Sequence, residues 1–336
     1  VAATILDAAG LPAPTFVHGV QQMPLHGKSM VPTFDDPTAP EHRETQYFEM
    51  FVNRGIYHKG WTAVTNHSVP WIPAGPLPAY DDDNWELYPP DDWTQARNVA
   101  AEHPEKLHDL QRLFLIEAAK HNVLPLDDRR IERFNADLAG RPQLIRGKSQ
   151  LFFSGMGRLT ENTILVLKNK SHSVTAEVAV TNGSAEGVII AQGGTFGGWS
   201  LYAKQGRPTY CYNLLGLQRF KVAADREIPA GAHQLRMEFA YDGGGLAKGG
   251  TVSLYIDGAK AGEGRVDATQ AMIFSMDETT EIGSDSGTSV SDDYRPDDSA
   301  FTGRIRWVQL DIADAAEDFD HLITPEERLR IAMARQ

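Results

Sequence analysis

The chain has 336 residues, of which 41% are hydrophobic and 23% charged, the balance of ordinary folded domains and a length that suits two of them at roughly 100–200 residues each. Its 45 acidic residues against 32 Lys and Arg give a formal charge of −13, which argues against nucleic acid and anionic lipid surfaces as partners, although a local basic pocket could still take an anion. No apolar run approaches the roughly 18 residues of a membrane span, and with Cys211 as the one cysteine no intrachain disulfide can form.

The chain opens at Val1 with neither an initiator Met nor a basic stretch leading into an apolar core, which reads as a start inside a longer protein and leaves the compartment, cytoplasmic or periplasmic, open. Residues 5–9 read as the tail of a helix stopped by Gly10, Pro12 and Pro14. A Gly- and Pro-rich loop runs over 15–40, where His18, His26 and His42 lack the i, i+4 spacing of a helical metal pair and read as solvated. Strand candidates at Thr45 to Phe51 and Gly55 to Val64, parted by Val52, Asn53 and Arg54, form a hairpin. From Asn98 to Asn122, Val99, Leu107, Leu110, Leu113, Phe114 and Ala118 recur at helical spacing, with Pro104 in the first turn. The mixed, proline-bounded stretch 123–142 reads as a domain boundary.

Beyond it the pattern changes to short alternating strands, at 163–167, 174–180, 188–192, 199–203, 235–241, 251–256 and 303–310. Turns such as Asn182-Gly183, Gly243-Gly244-Gly245 and Asp257-Gly258 divide them, which predicts an antiparallel β-sandwich. At the end, Thr324-Pro325-Glu326-Glu327 has the form of a capping box and predicts a terminal helix.

Several stretches of the first half resemble, in order and spacing, the region downstream of the active site in bacterial arylsulfatases of the alkaline-phosphatase-like superfamily. They are residues 5–10 (ILDAAG), 46–51 (QYFEMF), 53–57 (NRGIY) with Trp61, 85–88 (WELY) and 101–107 (AEHPEKL). The second half resembles the laminin-G or concanavalin-type sandwich appended to some long arylsulfatases, through residues 187–194 (GVIIAQGG), 198–202 (GWSLY), 254–258 (LYIDG) and 307–311 (WVQLD). Val52 departs from the Gly more usual in that hairpin. The resemblance implies an α+β chain. Residues 1–142 would be a small antiparallel-sheet-plus-helix subdomain of a sulfatase, 143–315 a β-sandwich and 316–336 a terminal helix.

It also implies sulfate-ester hydrolysis by the full-length protein, with a formylglycine nucleophile and calcium supplied by a missing catalytic half, which becomes this chain's expected partner. The formylglycine motif, C/S-x-P/A-x-R, is absent: Cys211 is followed by Asn213 and Leu215 where the motif has Pro or Ala and Arg, and reads as a small buried hydrophobe. This chain alone is therefore expected to be inactive. The alternative is a non-catalytic carbohydrate-binding or structural module. Candidate site residues are Asn53, Arg54 and His58 on a substrate rim, against an ordinary surface hairpin. Trp199 and Tyr202 are candidates for stacking on a sugar, against core packing. Asp285, Asp292 and Asp293 are candidates for a structural calcium, against a solvated acidic loop. Asp81-Asp82-Asp83-Asn84 likewise reads as a solvated acidic loop, and Gly193 to Gly198 as a turn between strands.

Overall fold

The computed structural model describes all residues except 18, 70–75, 130, 182–183, 313–320, 324–325, 327–332 and 334–336. The terminal helix expected over 316–336 lies almost wholly outside the described residues. The chain divides into two compact units, Val1–Arg130 and Ile131–Gln336.

In the first unit, α1 (Ala2–Ala8) ends near Gly10, whose φ of 66° suits a residue without Cβ, and buries none of its side chains. A short ribbon follows, β1 (Phe16–Val17) paired with β2 (Val20–Gln21). Then comes a four-stranded antiparallel sheet in chain order: β3 (Thr45–Met50), β4 (Asn53–His58), β5 (Trp61–Thr65) and β6 (Trp85–Tyr88). The second strand expected from the sequence is thus two strands, because Lys59 and Gly60 both take positive φ and turn the chain back. The first hairpin turns at Phe51 and Val52, both at positive φ, the pair a tight two-residue hairpin loop demands. A β-branched residue there costs about 1–2 kcal/mol. Burial of the Val52 side chain and a 2.8 Å bond from its N–H to Glu49 Oε1 offset that cost.

The long helix α2 (Pro104–Lys120) has Pro104 in its first turn, Glu105 beside it and Lys120 in its last turn, each suited to its end of the helix dipole. Leu110, Phe114 and Ala118, spaced by four, form one stripe that packs on Ile56, Ala63 and Leu87 of the sheet.

The second unit opens with the short helix α3 (Ala136–Ala139) and edge strand β7 (Ser149–Phe152). The strands that follow are β8 (His172–Val180), β9 (Gly187–Gly194), β10 (Gly197–Lys204), β11 (Arg207–Leu214), β12 (Gln218–Ala223), β13 (Gly231–Tyr241), β14 (Lys248–Ile256), β15 (Ala259–Ala268), β16 (Thr280–Ile282) and β17 (Arg304–Ile312). They form two antiparallel sheets, a five-stranded one in the order β12-β11-β10-β9-β16 and a six-stranded one in the order β15-β14-β13-β8-β17-β7. Ile190, Leu201 and Tyr210 of the first share one core with Val174, Met237, Val252 and Leu310 of the second. This is the two-layered sandwich that the laminin-G and concanavalin resemblance implies.

The expected α+β class is corrected by the structure. Seventeen strands carry the described residues, while the three α-helices have 7, 17 and 4 residues, so the chain is mostly β. The α+β expectation rests on the resemblance of residues 1–142 to a sulfatase subdomain, whereas the strands outweigh the one long helix of that half. A sheet with a helix on it is present in the first unit, but no feature of it marks a separate sulfatase subdomain. The strand expected at 163–167 is a single 3-10 turn, Glu161–Thr163, and extended chain.

The hairpin between β9 and β10 depends on two facing glycines. A Cβ on Gly193 (φ 88°) would stand 2.2 Å from the Gly197 carbonyl oxygen, and one on Gly198 (φ 150°) 2.1 Å from that of Gln192. Gly193→Ala is expected to destabilise the sandwich by about 3 kcal/mol through backbone clash and left-handed strain. Gly244→Ala, at φ 72° with nothing within 4 Å, is expected to cost about 1–2 kcal/mol from strain alone. Urea unfolding of both variants checks the difference; equal losses would show that the close approach carries no cost.

Candidate functional site

The residues that the sequence singles out gather in one place in each unit. In the first, the register pairs Arg54 with Thr65 and Thr65 with Trp85, which carries the Arg54 guanidinium into the interior, where it is 4% exposed. There it bonds the Asp83 carboxylate and lies 3.9 Å from the ring centre of Tyr80 and 5.2 Å from that of Trp85. His67 Nδ1 is 2.9 Å from both Asp83 oxygens, and its buried Nε2 is 3.4 Å from Asp128 Oδ2. Asn53 uses all of its capacity nearby: its Oδ1 accepts from the His67 and Ser68 N–H groups at 2.7 and 3.1 Å, and its Nδ2 donates to the Met50 and Ser68 carbonyls at 2.9 Å. His58 Nδ1 meets Thr45 Oγ1 across β3 and β4 at 2.8 Å.

Strand alternation parts the two: Arg54 is buried against Asp83, while Asn53, half-buried opposite Met50, ties down the backbone at His67 and Ser68, and both border an open concavity with Phe48, Met50 and Thr65. A buried charge is tolerated because the partner and hydrogen bonds replace water. Sequence reading missed Asp83, taken as part of a solvated loop, and His67. The two lie 29 and 14 residues from Arg54 and Asn53, and no local spacing signals such a meeting.

In the second unit the expected sugar-stacking pair is separated by strand alternation. Trp199 points into the core, stacks near Tyr210 and donates from Nε1 to Gln192 Oε1 at 2.9 Å. Tyr202 points to the other face of the sheet. Both are 1% exposed, so neither ring offers a face to a sugar. What covers Tyr202 is the segment between β16 and β17, the acidic stretch of the sequence. It lies across the outer face of the five-stranded sheet, tied at one end by the Val188 N–H to the Ser299 carbonyl (2.8 Å).

The carboxylates of that segment hold it down. Asp285 Oδ2 accepts from the Val290 N–H (2.9 Å) and the Tyr294 hydroxyl (2.7 Å). Asp293 accepts from the Tyr202 hydroxyl, and Lys221 reaches Asp293 at 2.7 Å and Asp292 at 2.5 Å. The Lys221 ammonium holds the Asp292 carboxyl below the usual carboxylate range. Beneath the lid Cys211 is buried with Val188, Ala191, Val290 and Tyr294, and burial pushes its thiol up to about 11, away from the thiolate a nucleophile needs. These three aspartates do not fit a calcium ion: Asp292 and Asp293 are both turned onto the Lys221 ammonium, and Asp285 is enclosed with two donors. Among the described residues no group of three or more His, Cys, Asp or Glu is placed to hold a metal.

The sequence matches no family model and no curated protein. Solved structures similar to part of it include the heptameric SAP-like pentraxin of Limulus polyphemus, at 13% identity over 52% of this chain and 79% of that one, with a TM-score of 0.30. The carbohydrate-binding module CBM40 of the Ruminococcus gnavus IT-sialidase gives 12% identity over 56% of this chain and 99% of that one, at 0.32. Domains LG4-5 of the mouse laminin α1 chain give 16% over 52% and 42%, at 0.30. Likeness this distant carries no functional argument, and the sandwich rests on its own strand pairing.

Burial pushes the Asp285 carboxyl up to about 6, against the two hydrogen bonds that favour its charged form. A folded-state value above the unfolded one means that the stabilisation is complete below about pH 4 and is lost as the pH rises through 6. The shift corresponds to roughly 3 kcal/mol. Asp285→Asn is therefore expected to flatten the fall in stability between pH 4 and pH 7 by up to that amount, measured by urea unfolding across the range. Identical pH profiles for the two proteins would refute the assignment.

Proposed function

We propose that this chain is a non-catalytic β-sandwich module that docks on a catalytic partner. The observation that carries this reading is the apolar surface of the first unit. Ile5, Leu11, Phe16, Val20, Met23, Met30 and Phe34 are each more than half exposed, as are Phe48 and Met50 on the sheet face opposite α2. Water-exposed apolar side chains in this number favour a covering partner or aggregation. The partner we favour is the catalytic half of an arylsulfatase, on the strength of the five ordered sequence stretches. That half would contribute the formylglycine nucleophile, calcium and the sulfate-ester pocket. Extending the reading frame upstream of Val1 is expected to reveal a C/S-x-P/A-x-R motif. The extended protein is expected to hydrolyse p-nitrophenyl sulfate with calcium, while this chain alone leaves it intact. Hydrolysis by this chain alone would overturn the non-catalytic reading, and an extended protein lacking both motif and activity would overturn the sulfatase partner.

A second reading, carbohydrate binding by the sandwich, is favoured by one specific feature. The tips of two adjacent hairpins expose Phe196, Leu215 and Leu217, and they stand together, since a Cβ on Gly216 would meet the Thr195 carbonyl oxygen at 2.7 Å. An exposed aromatic face beside aliphatic groups suits the apolar face of a sugar ring. Glycan-array binding by the whole chain that weakens at least about tenfold in Phe196→Ala, a loss of roughly 1.4 kcal/mol, is expected on this reading. Absence of binding across the array would leave the module a structural one.

A further inference from the structure

The first unit holds a cleft of about 640 Å³ between the loop before β3, the start of β3 and the last turn of α2. This is within the roughly 300–1,000 Å³ of small-molecule sites. Its lining is unlike the rest of an acidic protein: three cations, Lys28, Arg43 and Lys120, face two carboxylates, Glu44 and Glu117, with three histidines between them. Both carboxylates are already engaged. Glu44 pairs with Lys59 at 3.1 Å, and Glu117 is shared by Lys120 at 3.4 Å and His121 Nε2 at 3.3 Å.

The remaining positive charge is uncompensated. Arg43 spends its guanidinium on neutral acceptors, the His26 carbonyl at 2.6 Å and the Gln46 side chain, and meets no carboxylate among the described residues. Lys28 and His42 have no bonding partner among the described residues. The wall between them is fixed by rings: His121 stacks on Tyr47 at 5.2 Å and takes the edge of His26 at 4.7 Å. Cations and imidazoles therefore converge on one space from the loop before β3 and from the end of α2.

We propose that this cleft binds a tetrahedral oxyanion group, sulfate or phosphate, carried on a small organic molecule, with Arg43 and Lys28 as its charged anchors and His42 as a further donor. A guanidinium fork and an ammonium fifteen residues apart on one loop suit an anion with oxygens pointing several ways, where a planar carboxylate would be satisfied by the arginine alone. The volume leaves room for the body that bears the anion. The cleft lies apart from the buried Arg54 cluster, and its occupancy is independent of whether the chain docks on a sulfatase.

The test is calorimetric titration of the whole chain, at constant ionic strength, with inorganic sulfate, inorganic phosphate, p-nitrophenyl sulfate, p-nitrophenyl phosphate and acetate. Saturable binding of sulfate- or phosphate-type anions but not of acetate is expected, and tighter binding of the aryl esters than of the free ions identifies the organic carrier. Lys28→Gln and Arg43→Gln are each expected to weaken binding at least about tenfold, as loss of a charge-assisted contact does. Lys28 makes no bond within the chain among the described residues, so its variant reads binding without disturbing the fold. Lys260→Gln, in the second unit, is expected to bind as the parent does. Absence of saturable binding, equal binding of acetate, or an equal loss in Lys260→Gln would overturn the proposal.

Discussion

The second unit depends on one constraint: its five-stranded sheet must be covered on both faces. The inner face does this with apolar contacts alone, through Ile190, Leu201, Tyr210 and their partners on the other sheet. The outer face places Tyr202 and Cys211 where an ordinary sandwich would meet water, and so needs a lid. The lid in turn needs fastenings, because a segment whose one regular element is the short 3-10 turn Pro296–Asp298 satisfies few of its own backbone groups. Hydrogen bonds and an ion pair through Asp285, Asp293 and Lys221 supply them. The cluster of acidic residues is thus an architectural consequence of the sheet it covers. Central strands buried on both faces also explain why β9 to β11, where the sequence suggests alternation, carry small or apolar residues on both sides.

The first unit solves a related problem in the opposite way. Its sheet is covered on one face by α2, and the strand register that brings Ile56, Ala63 and Leu87 under the helix also carries Arg54 inside. A guanidinium there requires a carboxylate, and Asp83 is delivered by the turn before β6. Asn53 and His67 then pin the chain leaving β5. The opposite face keeps Phe48 and Met50 in water. Polar chemistry is spent inside and apolar surface is left outside, the inverse of the usual economy of a free-standing domain, which is why docking is the reading that accounts for both.

The legible parts of the fold are those governed by local rules. α2 was readable because three apolar residues at spacing four and a first-turn proline are local signals, and the strands at 174–180, 188–192, 199–203, 235–241 and 251–256 were readable because turns bounded them. Strands β11, β12 and β15 were passed over: β11 alternates little because both of its faces are buried, and β12 and β15 are charged along one face. The candidate residues fared less well. Arg54, Trp199 and Tyr202 were chosen for chemistry that requires solvent, whereas the face each occupies is set by register and by a lid some 90 residues further along the chain. His26 and His42 were dismissed as loop histidines for the converse reason, since only the fold brings them to α2.

The contrast between the buried clusters and the basic cleft clarifies what a polar group's surroundings can say about its use. Arg54 and Lys221 each end on a carboxylate, and removing either charge would leave a partner stranded, which is the mark of a group that holds structure. Arg43 ends on neutral oxygen and Lys28 on no described partner, in a protein where acidic residues outnumber basic ones by 45 to 32. In such a composition an acidic neighbour is the expected partner for a cation in a concavity. A pair of cations that shares a cleft and faces no free carboxylate stores electrostatic repulsion that an incoming anion relieves, and that relief favours binding over a purely structural role.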